Sequence, residues 1–278
     1  MTMDLTGITN RNEYYTNHYF SWIFADNAKE TITGWRVRAR DSDFQTPWSR
    51  LREASRRYYV LREQYQRPSS LAKSQIVCEL ANLVLDALDY PQARQMSLMD
   101  VEDELQVPVY LEVTKPNGAP LLWVMLSSED DGDILNSILD SLSENNSTEP
   151  ILDMINEDLL SKVFFAMDEP PRWVILISMY QIALIDRSKW NEKRYLLFEL
   201  DDIFGRREET PLQAMSVLLH RESLCPMDGD SLLDTLDEES HRHSSSVSED
   251  LKYALRECIE LLGNEVIYDK RTRLHEGI

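Results

Sequence analysis

The sequence predicts a mixed α/β fold (an α+β arrangement) in three parts. These are a helical N-terminal segment over residues 1–68, a central mixed sheet within residues 69–205, and a helical segment over residues 206–278. Apolar residues recur with a helical period in the first and last parts. In the middle part, short apolar runs alternate with turn signals. The chain has 278 residues, of which 42% are hydrophobic, so it is long enough to bury a substantial core.

Helical periodicity predicts where the helices lie. Aromatic and apolar residues spaced three and four apart place a first helix within residues 10–33. A second helix is expected from about Trp48 to Gln66 and ends before Pro68, because the residue before a proline disfavours helical backbone. Further helices are expected over 71–89, 157–167, 211–220 and 248–268, the last with Ser248 as its N-cap. The polar stretch 225–250 between them, with His241 and His243, is expected to be a solvated loop without a metal.

Short apolar runs predict the strands of the central sheet. Two runs flank the sequence Pro116-Asn117-Gly118, which is a hairpin signal. The strands are expected near 107–114, 120–126, 173–178, 181–186 and 194–200. The acidic, turn-rich stretch 127–150 is expected to be a variable surface insertion.

Composition narrows the classes of protein. The chain carries 49 Asp and Glu against 29 Lys and Arg, a formal charge of -20, so a contact with nucleic acid requires a local basic patch. Three cysteines stand far apart without a CxxC pair, which argues against a structural zinc site and a disulfide framework. The N-terminus has no signal-peptide pattern and no apolar run reaches about 18 residues. We therefore expect a cytoplasmic protein without a membrane partner.

Positive charge is concentrated in residues 35–73. Ten basic residues stand there against four acidic ones, a net charge of +6. Aromatic residues such as Trp48 and Tyr58 are interleaved with the arginines, a pattern typical of surfaces that bind a nucleic-acid backbone. Arginine is well suited to bidentate phosphate contacts. The predicted nucleic-acid-binding residues are Arg36, Arg38, Arg40, Arg50, Arg52, Arg56, Arg57 and Arg62.

The sequence leaves an alternative open for this stretch. On the predicted second helix, Arg52 and Arg56 are four residues apart and share a face, which would suit a binding surface. The same arginines would also suit an ordinary solvated face, or one that complements the acidic stretch 99–162 of the same chain.

Motifs for catalysis are incomplete. The sequence contains no GxGxxG, no Walker A sequence and no G-x-S-x-G. A metal-dependent nuclease would need clustered carboxylates and a lysine, for which Glu79, Glu112 and Lys115 are the candidates, with Mg²⁺. Glu112 and Lys115 are three residues apart, however, so on a strand their side chains would face opposite ways. We therefore expect no catalytic residues, no cofactor and no metal in this chain.

Four stretches, 107–126, 168–190, 219–243 and 248–268, carry a resemblance to a known family. Together they resemble the N-terminal region of large adenine-specific DNA methylases. Those enzymes belong to single-chain restriction–modification systems and to DISARM-like phage-defence systems. The resemblance implies a PD-(D/E)XK nuclease-type fold in which a helix, a hairpin and further strands follow one another. It also implies a methylase domain, fused after residue 278 or supplied by a partner, which would bind S-adenosylmethionine.

This sequence departs from the family at the nuclease site. An active nuclease of this kind would carry Glu-x-Lys where Met125, Leu126 and Ser127 stand, and an Asp near Pro108–Tyr110, where none occurs. The resemblance therefore implies a module without autonomous chemistry that binds DNA or positions a methylase. Two alternatives remain: an active Mg²⁺-dependent nuclease, and an acidic interaction protein that mimics DNA.

Overall fold

A computed structural model of the chain describes residues 3–67, 70–102, 105–128, 132–139, 154–206 and 208–275. The helices are α1 (Asn17–Trp22), α2 (Phe24–Asp41), α3 (Pro47–Tyr65), α4 (Ser70–Ala87), α5 (Asn156–Ala166), α6 (Leu200–Gly205), α7 (Glu209–Leu219), α8 (Arg221–Leu224) and α9 (Leu232–His275). The strands are β1 (Ile8–Arg11), β2 (Ser97–Glu102), β3 (Leu105–Val109), β4 (Leu111–Thr114), β5 (Pro120–Ser128), β6 (Ile138–Leu139), β7 (Trp173–Ile177), β8 (Gln181–Asp186) and β9 (Tyr195–Glu199). Within the described ranges, no helix has the length and apolar character needed to cross a membrane.

A mixed sheet forms the centre of the protein, in the strand order β1-β9-β8-β7-β5-β4. Strands β5 and β7 run parallel, joined by a crossover that contains α5, and the remaining neighbours along this order are antiparallel. Strand β6 pairs with the end of β5, and β2 and β3 form a separate two-stranded sheet. The prediction of a mixed α/β fold with a helical C-terminal part is confirmed.

The central strands are buried on both faces, which is why they read as continuous apolar runs rather than alternating ones. Side chains of β5 divide between two cores. Leu122 and Val124 pack on the side of α2, α3, α4 and α7, whereas Trp123 and Met125 pack on the side of α5 and the β2–β3 hairpin. This alternation follows from the two-residue period of a strand. Candidate site residues on opposite faces of the sheet therefore cannot form one site.

Several predicted elements are confirmed and others need correction. Helices α3 and α4 lie within one or two residues of the predicted bounds, and Pro47 begins α3 as a first-turn proline should. The N-terminal segment is not wholly helical, because Ile8–Arg11 forms β1 and pairs with β9 at the sheet edge. The strand expected over 107–114 is broken at Tyr110, and its first half pairs with β2, which the sequence did not predict. Most of the predicted insertion 127–150 lies outside the described residues.

The prediction of a loop over residues 225–250 holds as far as residue 231 and was wrong from Leu232 onward. Helix α9 begins at Leu232 and runs for 44 residues, about 66 Å at 1.5 Å per residue. His241 and His243 therefore lie on a helix, and Ser248 lies inside that helix rather than at its start. The apolar pattern of this helix is weak in the sequence because its first turns are mostly polar. They pack against the domain through a few apolar residues, Leu233 and Leu236 among them.

Charged side chains fix the first turns of α9 to the sheet. Arg172 donates two hydrogen bonds to the buried Asp186, of 2.8 and 3.0 Å, and a third to Asp234 of α9 at 2.8 Å. Lys189 contacts Asp237 and donates to the carbonyl of Tyr14 at 2.8 Å. Burial lowers the pKa of Lys189, although the contact with Asp237 opposes that shift. These contacts determine the direction in which α9 leaves the domain.

Candidate nucleic-acid interface

Helix α3 divides its two faces between the core and a basic surface. Its apolar residues recur every three or four positions and are buried: Trp48, Leu51, Ala54, Tyr58, Leu61 and Tyr65. The arginines occupy the positions between them, as the amphipathic pattern requires. The hydroxyl of Tyr58 also donates to Asp201 at 2.7 Å, which ties α3 to α6.

Five of the eight predicted arginines form ion pairs with acidic residues of other elements. The pairs are Arg38 with Glu222 at 2.9 Å, Arg50 with Asp89 at 3.7 Å, Arg52 with Glu209 at 3.2 Å, Arg57 with Glu79 at 2.8 Å and Arg62 with Asp201 at 2.9 Å. None of these acidic residues belongs to the stretch 99–162. These ion pairs therefore do not support the alternative in which the arginines complement that stretch. Most of the pairs are partly exposed, and such pairs contribute only about 0–1 kcal/mol each.

The remaining three predicted arginines, Arg36, Arg40 and Arg56, have exposed side chains. Across the described ranges, none of them has an ion-pair partner. Arg36 lies over the ring of Trp48 at 5.7 Å, a cation–π contact that leaves its charge uncompensated. Among the described residues, Arg56 is therefore the arginine of α3 without an ion pair, and the paired residues Arg52 and Arg57 lie on either side of it.

A groove between α3 and the connection from α6 to α7 brings arginines from two parts of the chain together. Its volume is about 480 Å³, and it is lined by Arg52, Ser55, Arg56, Tyr59, Phe204, Gly205, Arg206 and Leu212. We call it the arginine groove. Its lining, as far as the structure describes it, contains three arginines and no acidic residue. Such a concave positive surface suits a phosphate group or another anion.

The groove combines charge with an aromatic surface. Tyr59 is 40% exposed, and its hydroxyl approaches Gly205 closely enough that an added methyl group there would lie 3.3 Å away. Partial burial raises the pKa of Tyr59, and the nearby Asp201 adds to that shift, so the side chain stays a neutral hydrogen-bond donor. Arg206 completes the groove, and its ion pair within the described residues is a 3.6 Å contact with Asp4.

Sequence reasoning missed Arg206 because it lies about 150 residues after α3 and outside the basic stretch. It sits in a short sequence with both charge signs, Arg206-Arg207-Glu208-Glu209, which gives no positive excess. Only the packing of α3 against α7 brings it beside Arg52 and Arg56.

The nuclease candidates are not brought together. Glu79 lies on α4 and pairs with Arg57, on the side of the sheet where α3 and α4 pack. Glu112 lies on the opposite face, where its Oε1 accepts from the indole nitrogen of Trp123 at 3.0 Å. Lys115 is exposed in the turn after β4. These three residues do not fit a Mg²⁺ site. No cluster of three or more His, Cys, Asp or Glu side chains suited to a metal occurs in the described part of the chain.

The end of β5 carries packing residues where a nuclease would carry its acid and lysine. Met125 and Leu126 are buried in the two cores. Ser127 is buried as well, and its hydroxyl accepts from the amide of Asn156 at 2.7 Å and donates to the carbonyl of Ile138 at 3.2 Å. These contacts join β5 to β6 and α5, and the described residues at the end of β5, as far as Ser128, carry no charged side chain.

Comparison with known proteins yields no relative: no family model matches the chain, and no curated protein or solved structure matches it.

Proposed function

We propose that this chain is a DNA-positioning module of an adenine-specific methylase system, without catalytic activity of its own. In this proposal, the arginine groove holds the phosphate backbone of DNA. The observation that carries the proposal is the convergence of Arg52, Arg56 and Arg206 on one groove in a protein of charge -20. At physiological salt, charges are screened beyond about 8 Å, so the local cluster rather than the net charge governs contact with phosphate.

The chain order also supports the relation to the methylase systems. Helix α4 precedes the β4–β5 hairpin, a crossover with α5 follows, and β7 and β8 come next. This is the order that the resemblance implies for a nuclease-type fold. The placement of Glu79 and Glu112 on opposite faces of the sheet supports a role without cleavage, because fold and catalytic site are separable.

Helix α9 supports the positioning part of the proposal. Beyond the domain, the side chains of residues 247–270 are exposed, including Leu251, Leu255, Ile259 and Leu262. These recur every three or four positions and so form one apolar stripe. The stripe continues the helix face that packs on the domain through Leu233. In the proposal, a methylase domain covers this stripe.

The DNA-binding part can be tested with matched arginine variants. Binding of a fluorescent duplex is measured by anisotropy across a salt series. Arg56→Gln and Arg206→Gln should each weaken binding and flatten the slope of log K against log salt by about 0.9, the value for one lost phosphate contact. Arg57→Gln is the control, because it removes the same charge from the neighbouring position outside the groove. Equal effects of Arg56→Gln and Arg57→Gln would contradict the proposal.

The lack of catalytic activity has its own test. The chain is incubated with plasmid DNA and Mg²⁺ or Mn²⁺, and separately with DNA and S-adenosylmethionine. We expect neither nicking nor methyl transfer. Nicking that disappears in Glu112→Ala would instead support the nuclease alternative.

The positioning part concerns a specific partner. We expect the downstream reading frame in the source genome to encode a methylase with an Asn-Pro-Pro-Tyr loop, and its product to bind this chain. The double change Leu255→Glu, Leu262→Glu should abolish that binding. Tyr253→Glu is the control, since Tyr253 is 73% exposed on the opposite side of α9. Binding that survives the double change would remove the stripe from the proposal.

A further inference from the structure

Two of the three groove arginines already contact a carboxylate of the protein itself, and the contact of Arg52 with Glu209 is closer than the 3.6 Å contact of Arg206 with Asp4. The Nη2 of Arg52 lies 3.2 Å from the Oε1 of Glu209. The Nε of Arg52 has no hydrogen-bond partner within the described residues, so this single contact holds the guanidinium. The second carboxylate oxygen of Glu209 accepts from the amide of Gln213 at 3.3 Å, one turn further along α7.

The position of Glu209 suits an anion. It lies in the first turn of α7, where the helix dipole favours negative charge. It lines the cavity next to the arginine groove, and Arg36 lines that cavity as well. The carboxylate thus contacts Arg52 at the edge of the surface that the proposed function assigns to phosphate, and it lines a second cavity together with Arg36.

We propose that Glu209 is an internal counter-anion of Arg52, which a DNA phosphate displaces on binding. This inference rests on the proposed function and adds a residue that limits its affinity. The side chains of Arg52 and Glu209 are 40% and 48% exposed, so their ion pair is weak and easily exchanged. A phosphate that also reaches Arg56 and Arg206 gains contacts that the carboxylate does not make, which favours the exchange.

The displacement of Glu209 should lower the affinity of the native protein for DNA and reduce the salt dependence of binding. Glu209→Gln should tighten duplex binding about two- to five-fold, the change that corresponds to one exposed ion pair. The slope of log K against log salt should also steepen by up to about 0.9. In the native protein a cation must neutralise the displaced Glu209, which cancels part of the ion release at Arg52, and a glutamine removes that cancellation.

A double-mutant cycle tests whether Glu209 acts through Arg52. Duplex binding is measured across a salt series for the full-length native chain, Glu209→Gln, Arg52→Gln and the double variant, with folding monitored by circular dichroism. Glu63→Gln serves as the control for net charge, because the ion pair of Glu63 within the described residues is an exposed one with Arg67, just after the end of α3. We expect Glu209→Gln to tighten binding in the native background, and to do no more than Glu63→Gln once Arg52 is replaced.

Each outcome separates this inference from the proposed function. Equal tightening with and without Arg52, or none beyond that of Glu63→Gln, overturns the role of Glu209 while Arg56→Gln and Arg206→Gln still weaken binding. If those two variants are no weaker than Arg57→Gln, the arginine groove itself is not the binding surface, and both proposals fail.

Discussion

Helices α3 and α9 carry the same amphipathic pattern but present opposite faces to solvent. In α3 the apolar face is covered by α4 and α7, and the charged face is exposed. In α9 the apolar face is covered over its first turns, and over residues 247–270 it is exposed as well. Periodicity therefore predicts a helix and its two faces, but it does not predict what packs against them.

The difference assigns a different kind of surface to each helix. The surface of α3 that remains exposed is charged, and the positive charge is concentrated where Arg206 lies beside Arg52 and Arg56. On α9, what is left is apolar area, which in soluble proteins marks a protein contact when it forms a contiguous patch. One protein thus offers two surfaces of unlike chemistry, as a module between DNA and another domain would require.

The largest expected effect compares equivalent leucines on the two helices. Leu61 of α3 is fully buried, so Leu61→Ala should lower the free energy of unfolding by about 2–5 kcal/mol through lost contacts and a cavity. Leu255 of α9 is 54% exposed, and Leu255→Ala should change that energy by no more than about 0.5 kcal/mol. Urea unfolding of both variants measures the difference. Equal destabilisation would show that the stripe of α9 is covered within the chain's own fold.

A smaller effect is the pH dependence of the free energy of unfolding, which a buried histidine causes. His220 is buried beside Trp35, with ring centroids 4.8 Å apart, and burial lowers its pKa to about 4. The unfolded chain binds a proton at this residue below pH about 6.5, whereas the native protein does not until about 4. The free energy of unfolding should therefore fall as pH is lowered through that window, by at most about 1.4 kcal/mol per unit.

The variant His220→Asn isolates this contribution. We expect its stability at neutral pH to be lower because the ring contact is lost, so the quantity to compare is the slope between pH 4 and 6.5. We expect a flatter slope than in the native protein. An unchanged slope would mean that other groups carry the pH dependence.

The smallest effect concerns the exposed part of α9. Removing residues from Val247 onward should leave the free energy of unfolding of the domain within about 0.5 kcal/mol of that of the full chain, because the side chains of residues 247–270 are exposed. Fluorescence of a dye that binds exposed apolar surface should fall in the shortened protein. A large loss of stability would instead show that this part of α9 supports the fold.

Several elements were predictable because their signals are local. Helices α3 and α4 follow from apolar periodicity and from Pro68 after α3, and β7 and β8 follow from apolar runs with a tight turn. Strand β1 was not predictable, since Ile8–Arg11 has no strand pattern and is extended because it pairs with β9. The first half of α9 was not predictable either, because Arg172 and Lys189, distant in sequence, hold its acidic residues.

In the candidate interface, too, some features were predictable from the sequence and others depended on tertiary packing. The sequence by itself determined that arginines concentrate in residues 35–73 and that Arg52 and Arg56 share a helix face, because composition and helical spacing are properties of neighbouring residues. Tertiary structure decided which of those arginines are paired with acids, and that Arg206 joins them. It also decided that Glu79 and Glu112 lie on opposite faces of the sheet. Contacts of this kind depend on how distant elements pack, and charge or periodicity along the chain does not encode them residue by residue.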